Sequence, residues 1–447
     1  MNSLNKQILR LAWPVIWGQL GMLAFDLVDV FWIAKLGTET VAGVAAAAFL
    51  DWAVYSFMGI TTIGCATLVS QAVGAQNQKE AYDVSRESFH LGLLVSLFLL
   101  FVLWFGASSI FHWMGLDSKA HAAALAYYQV LILGTPVFFA FILTGQIFNA
   151  YGDTKTSNLI LTGAIGLNAL LDPFFIFGWG SFPKWGAFGA AFATLISFAV
   201  GMGVRLYFLR KKGYVDSLAT YGKLSQAYFY RILSIGIPTA SARVIWSLVY
   251  PLLSTLITPF GMSAMAALTM AHRIEGFAYC TAYGFSVAVS TLVGQNIGRK
   301  DSQAAREVAY QGKRLITFIL LPMSLVFLSV PELLISFVSS DPEVISHGAS
   351  YLRIIGLLEV FLGWEMVFEG GFNGVGETRP YMLISVPLTL GRYPLAYFLV
   401  NALGGGIHSI WWAISLSTLS KGICLNLAFE KLKAFKVDIP HAFKTLS

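Results

Sequence analysis

Long apolar runs, interrupted by short polar and glycine-bearing segments, set the pattern of this chain. Twelve stretches of roughly 20 residues lie near 11–34, 43–71, 88–111, 125–148, 158–178, 186–209, 232–258, 265–293, 315–338, 351–373, 381–402 and 406–429. An α-helix rises about 1.5 Å per residue and a hydrocarbon core is ~30 Å thick, so each stretch predicts one membrane-crossing helix. The first is unusual. Its segment QLGMLAFDLVDVFWIAKLG, Gln19 to Gly37, holds two carboxylates, Asp26 and Asp29, three residues apart and so nearly on one helical face. A carboxylate at that depth costs roughly 2.5–3.5 kcal/mol on insertion scales, which predicts that it faces a cavity or a partner.

Composition agrees with the pattern. Of 447 residues, 57% are hydrophobic and 12% charged, with a mean hydropathy of +0.69, which excludes a soluble chain of this length. The short tail before the first stretch carries Lys6 and Arg10 and no small-residue cleavage site, so a retained helix is expected rather than a signal peptide. Basic residues cluster between alternate stretches. With the N-terminus taken as cytoplasmic, Lys79, Arg86, Lys155, Arg205, Arg210, Lys211, Lys212, Lys223, Arg231, Arg299, Lys300, Arg306, Lys313, Arg314, Arg379, Lys431, Lys433, Lys436 and Lys444 fall on that side. Lys35, Lys119 and Lys184 fall opposite. This asymmetry predicts cytoplasmic N- and C-termini in a plasma membrane, and it makes the net charge of +6 a topology signal, not a nucleic-acid surface.

Cys65, Cys280 and Cys424 form no CxxC pair, and the seven histidines show no metal-ligand spacing. No GxxxxGK[ST] phosphate loop is present, which argues against ATP drive.

The chain repeats itself. ILRLAWP (Ile8 to Pro14) returns as ILSIGIP (Ile232 to Pro238), ATLVSQAVGAQNQKEA (Ala66 to Ala81) as STLVGQNIGRKDSQAA (Ser290 to Ala305), and FNAYGDTKTSNLI (Phe148 to Ile160) as FNGVGETRPYMLI (Phe372 to Ile384). Tyr127 falls on Tyr351. All four pairs share one offset of 224 residues, the mark of a duplicated six-helix unit. Six is even, so both halves start on the same side of the membrane. They are parallel repeats about an axis along the membrane normal, with the substrate path expected between them. The expected division is an N-lobe at 1–210, a basic connector at 211–231 lying on the cytoplasmic leaflet, and a C-lobe at 232–447.

With these features the chain resembles a multidrug and toxic compound extrusion (MATE) transporter over nearly its whole length. The residues that carry the resemblance are Pro14, LVDVFWIAKLG, TLVSQAVGAQ, FNAYGDTK, GLNALLDPFFIFG, GAFGAAFATLIS and STLVGQNIGRKD. The resemblance implies an all-α integral membrane fold, with twelve transmembrane helices in two pseudo-symmetric lobes in a V-shaped arrangement. It also implies a coupling network. Asp29 matches an acidic residue that some members carry in helix 1, Asn168 and Asp172 match a helix 5 pair, and Tyr127 and Thr194 match their neighbours in helices 4 and 6. Clustered carboxylates hold protons, while Asn, Thr and carbonyl oxygens suit Na⁺, so a possible Na⁺ site is expected at Asp29, Asn168 and Asp172.

Other acids depart from that pattern. Asp26 and Asp51 either widen an acidic cavity or sit near the outer water boundary. In the second half Glu275 lies in AHRIEGFAY, and Glu359, Glu365 and Glu369 lie in LLEVFLGWEMVFEGGFNG. These six are expected to form a substrate site or second coupling site, or else a structural ion-pair network with Arg243, Arg392 and Lys421. Asp172 precedes Pro173, a pair that often only breaks a helix. Trp32, Trp52, Phe57, Met58, Tyr279, Trp364 and Met366 either line the cavity, where cation–π contact suits flat organic cations, or pack helices.

The expected function is antiport: export of lipophilic organic cations in exchange for H⁺ or Na⁺ by alternating access, by a monomer in contact with membrane lipid and with no cofactor. Two alternatives stand beside it. A flippase for lipid-linked oligosaccharides, from the same superfamily, calls for a cationic cavity. A membrane enzyme acting on lipids calls for a nucleophile–base or metal constellation, and none is visible in the sequence.

Overall fold

Each apolar stretch becomes helical, and most helices overshoot the stretch at one end or both. A computed structural model describes residues 3–180, 182–218 and 225–435. Lys223, Lys436 and Lys444, counted above for topology, lie outside the described residues.

The helices are α1 (Ser3–Ala34), α2 (Thr38–Gly74), α3 (Gln78–Trp113), α4 (Ser118–Ala150), α5 (Thr154–Phe177), α6 (Ala187–Lys211), α7 (Gln226–Ile257), α8 (Met262–Gly298), α9 (Ser302–Ser329), α10 (Pro331–Ser336), α11 (Pro342–Val375), α12 (Arg379–Leu390), α13 (Arg392–Asn401) and α14 (His408–Glu430). Among the described residues ten segments are long and apolar enough to cross a membrane, with α12 and α13 forming one of them. Pro394 has no N–H to donate to the Leu390 carbonyl, which accounts for the interruption between α12 and α13. α11, which carries the three glutamates, and α14, which carries Lys421, complete twelve spans. Among the described residues there is no strand.

The duplication is written into the backbone as well as the sequence. Gln76 and Lys300, the non-glycine residues with positive φ (57° and 62°), are separated by 224 residues and make the same turn after α2 and after α8. Gly37 and Gly261, with φ of 112° and 103°, repeat likewise before α2 and α8. The N-caps repeat too. Asp117 accepts from the amides of Lys119 and Ala120, and Asp341 from those of Glu343 and Val344.

The chain divides into two compact units. One comprises the residues up to Ile16, Ser70–Gln76 and those from Pro238 onward; the other comprises Trp17–Val69 and Asn77–Ile237. Two long helices, α1 and α7, therefore divide near their equivalent prolines, Pro14 and Pro238. Within one unit, a Cβ on Gly236 of α7 would strike the Ile60 backbone of α2. Within the other, a Cβ on Gly284 of α8 would press on Ala12 and Ile16 of α1. Residues 60 and 284, and residues 12 and 236, are again 224 apart, so the same helix crossing is built twice.

Candidate coupling site

In the unit containing Trp17–Val69, five predicted residues meet. α5 places Asn168 and Asp172 one turn apart on a single face, and its helix continues through Pro173 to Phe177. The Asp-Pro pair is thus not a helix break. Pro173 instead lacks the N–H that would occupy the Ala169 carbonyl one turn earlier. The Asn168 side-chain amide donates to Asp172 Oδ1 at 3.2 Å and to Thr194 Oγ1 of α6 at 3.2 Å. Thr194 in turn donates to the Ala190 carbonyl at 3.1 Å. Tyr127 of α4 gives its hydroxyl hydrogen bond to Asp29 of α1, and Asp29 and Asp172 lie within electrostatic reach of each other.

Burial makes this arrangement costly as it stands. Asn168 and Asp172 are fully buried and Asp29 is 7% exposed. Asp29 Oδ1, Asn168 Oδ1 and Asp172 Oδ2 have no hydrogen-bond donor, and neither aspartate has an ion-pair partner among the described residues. Three buried acceptors without a donor, on residues within electrostatic or hydrogen-bond reach of one another, are a place for positive charge, either protons on the carboxyls or a small oxygen-seeking cation. The donor set fits Na⁺ in kind: carboxylates, an amide oxygen and a hydroxyl, with no soft ligand.

Asp26 and Asp51 stand at the margin of this group. Asp26 lies on an exposed part of α1 and Asp51 is half-buried on α2; each is within electrostatic reach of the other, and Asp26 also of Asp29. Tyr127 senses all four aspartates. The first-half acids therefore form one connected set.

The second-half acids do not. Glu369 accepts from Arg243 Nη2 at 2.7 Å and from the Tyr381 hydroxyl at 3.2 Å. Glu365 is bound by Lys421 Nζ at 2.6 Å, with both side chains buried. Glu275 accepts from the Tyr351 hydroxyl at 2.9 Å and lies 3.9 Å from His272. Glu359 is 3% exposed, its Oε1 has no donor, and it lies within reach of Glu275. Of Glu359, Glu365 and Glu369 in α11, the last two are thus neutralised by cations from α14 and α7.

Other residues sort by burial. Met58 and Met366 are packed inside the fold, at 2% and 6% exposure. Trp52, Phe57 and Tyr279 are exposed, and Trp32 packs edge-on against Phe177 and Trp179. Arg205, counted with the basic residues of the polar side, is buried at the cation–π distance of 3.7 Å over Phe141 and donates to the Phe141 and Ser157 carbonyls. Cys65 and Cys280 are buried and Cys424 is exposed.

The MatE family model matches twice, over residues 14–174 and 238–398, in the same 224-residue register as the internal repeat. The chain belongs to the MatE family. Relatives agree along its length. The probable multidrug resistance protein NorM of Thermotoga maritima is 27% identical over 443 residues, covering 96% of this chain and 94% of that protein. The FAD transporter of Shewanella oneidensis is 26% identical over 450 residues, covering 97% of each. Among solved structures, a MATE transporter in complex with MaD3S superposes with a TM-score of 0.89 at 22% identity over 96% of each chain. A Pyrococcus furiosus transporter of the MOP superfamily superposes with 0.90 at 24% identity over 98% of this chain and 97% of that one. The twelve-helix, two-repeat MatE fold and a multi-pass membrane transporter, not an enzyme, are the outcome.

Sequence reading missed one relation in this MatE chain. Asp51 and Glu275 are repeat equivalents, as are Asn168 and Arg392, and Thr194 and Thr418. The signal was the 224-residue register itself, which identifies these pairs even where the residue type has changed.

Proposed function

We propose that the protein is an efflux antiporter that exports lipophilic organic cations in exchange for H⁺ or Na⁺, with Asp29 as the coupling carboxylate. The observation that carries this reading is the group of three buried, donorless oxygens on Asp29, Asn168 and Asp172. A proton or Na⁺ binding there removes the penalty of the unsatisfied acceptors, so the ion biases whichever conformation buries the group. Tyr127 and Thr194 hold Asp29 and Asn168 in place, while Asp26 and Asp51 add negative charge that attracts a cation. The similarity to NorM proteins supports multidrug export. The charge pattern supports a plasma-membrane position with both termini cytoplasmic.

The test is ethidium efflux from proteoliposomes under an imposed H⁺ or Na⁺ gradient. Asp29→Asn abolishes gradient-driven efflux while the purified protein stays folded. Efflux of ethidium at the wild-type rate by Asp29→Asn overturns the coupling role. Transport of FAD, or of a pyrophosphate-linked lipid, in place of ethidium overturns the substrate class.

A further inference from the structure

The two repeats build one hydrogen bond with two chemistries. In the first, the neutral amide of Asn168 donates to Thr194 Oγ1 at 3.2 Å. In the second, the guanidinium of Arg392 donates from Nη2 to Thr418 Oγ1 at 3.1 Å. Both residues of each pair are 224 positions from their counterparts. Arg392 is 2% exposed; its Nε donates to Ser417 Oγ and its Nη1 reaches the Tyr250 hydroxyl at 3.5 Å. A tyrosine beside an acid also recurs, although its principal acid differs: Asp29 for Tyr127 and Glu275 for Tyr351. Tyr127 is within electrostatic reach of Asp51, and its counterpart Tyr351 donates to Glu275, the counterpart of Asp51.

The charges around Arg392 come from four helices. α8 contributes Glu275 and His272, α7 contributes Tyr250, α14 contributes Lys421, and α11 contributes Glu365, which is bound to Lys421; Glu359 and Tyr351 of α11 join the group through Glu275. Glu275 and Glu359 are the carboxylates without a cation in ion-pair contact, and Arg392 is within electrostatic reach of Glu275. An arginine stays charged in proteins and, being covalently held, cannot leave. The first repeat has no such group. Its aspartates face an amide where the second repeat has a guanidinium.

We propose that Arg392 is a tethered cation that fills, in the second repeat, the place an exchangeable proton or Na⁺ takes in the first. The second repeat keeps the threonine acceptor and the tyrosine but has Leu253 and Ala396 where the first has Asp29 and Asp172, so Arg392 compensates Glu275 and not a copied aspartate pair. Only the first repeat responds to the ion, while Arg392 holds Glu275, the neighbour of Glu359, compensated throughout the cycle. This rests on the coupling role of the Asp29 group, and the test separates the two.

Thermal unfolding of the purified full chain in detergent is followed against NaCl, with choline chloride as ionic-strength control, and against pH. Wild type gains stability with Na⁺ or with acid, and Asp29→Asn does not. Adding Arg392→Asn to Asp29→Asn lowers the melting temperature and restores an ion-dependent or acid-dependent rise. Adding Arg392→Lys, which keeps a tethered charge, restores none, and Glu275→Gln abolishes the restored rise. A folded, monodisperse Asp29→Asn/Arg392→Asn protein with a flat profile overturns the proposal, as does a restored rise that survives Glu275→Gln.

Should the double variant not fold, Asn168→Arg supplies the reverse test. It places a tethered cation in the first repeat and removes the wild-type ion response with Asp29 and Asp172 intact. Persistence of that response in folded Asn168→Arg overturns the proposal. A full response in Asp29→Asn alone instead overturns the Asp29 reading. Arg392 is then judged by whether Arg392→Asn adds a Glu275-dependent increment to that response.

Discussion

Asn168 and Arg392 occupy the same position in the two repeats and donate to the same partner, a threonine, at 3.2 and 3.1 Å. The bond to the threonine is therefore kept between the halves with a charged donor in the second, while Asp29 and Asp172 give way to Leu253 and Ala396. An amide leaves the neighbouring carboxylates to be satisfied by something that can come and go. A guanidinium satisfies its neighbours permanently.

The Asn168–Thr194 bond orients the amide so that its oxygen stays in the group with Asp29 and Asp172. Thr194→Val removes that acceptor at nearly constant volume, and a buried hydrogen bond is worth about 1 kcal/mol. Thr194→Val is expected to weaken ion-driven ethidium efflux several-fold in proteoliposomes, with Thr194→Ser retaining most of it. Equal efflux by Thr194→Val and wild type would show that the threonine only packs.

The Lys421–Glu365 pair is almost wholly buried, with side-chain exposures of 2% and 9%. Removing one partner leaves an uncompensated charge, which costs about 3–5 kcal/mol, whereas removing both is far milder. Lys421→Met and Glu365→Gln are each expected to lower the melting temperature more than the double variant does. A double variant as unstable as the sum of the two singles would mean that the residues act independently.

Much of this was legible in the sequence. The twelve spans follow from run length, and the duplication follows from four motif pairs in one register. The Asn168 and Asp172 pair follows from four-residue spacing on a helix. What stayed hidden depends on which helices become neighbours. Glu365 and Glu369 share a face of α11 and so read as one acidic patch, yet Lys421 of α14 and Arg243 of α7 bind them separately. Asp172–Pro173 reads as a break, yet a helix packed among neighbours tolerates one missing amide donor. The Asn168–Arg392 equivalence was obscured because motif matching rewards identity, and here the decisive change is a substitution.

The repeated N-caps predict matched costs in the two halves. Asp117 and Asp341 each accept two amide hydrogen bonds at a helix start. Asp117→Ala and Asp341→Ala are each expected to destabilise by about 1 kcal/mol, with asparagine restoring most of it. Thermal melts of the four variants decide the point, and a neutral Asp→Ala at either position would show that water serves that helix end equally well.

One close backbone approach in the repeat motifs is reciprocal. A Cβ on Gly74, at the end of α2, would collide with the Gln295 carbonyl of α8, and a Cβ on Gly298, at the end of α8, would collide with the Gln71 carbonyl of α2. Gln71 also donates to the Gly374 and Val375 carbonyls at 3.0 Å, which ties the same end of α2 to the end of α11. Backbone atoms cannot turn aside as a flexible side chain does, so a side chain at either glycine forces the helices apart. Gly74→Val and Gly298→Val are each expected to cost about 1–3 kcal/mol, the usual range for overpacking. Gly106→Ala, where a Cβ meets nothing within 4 Å, is the control and is expected to be neutral or slightly stabilising. Because the two contacts are one crossing seen from both repeats, the effects of Gly74→Val and Gly298→Val are expected to be less than additive: once the first substitution has parted the helices, the second meets open space. Fully additive losses in melting temperature would show that the two glycines answer to separate contacts.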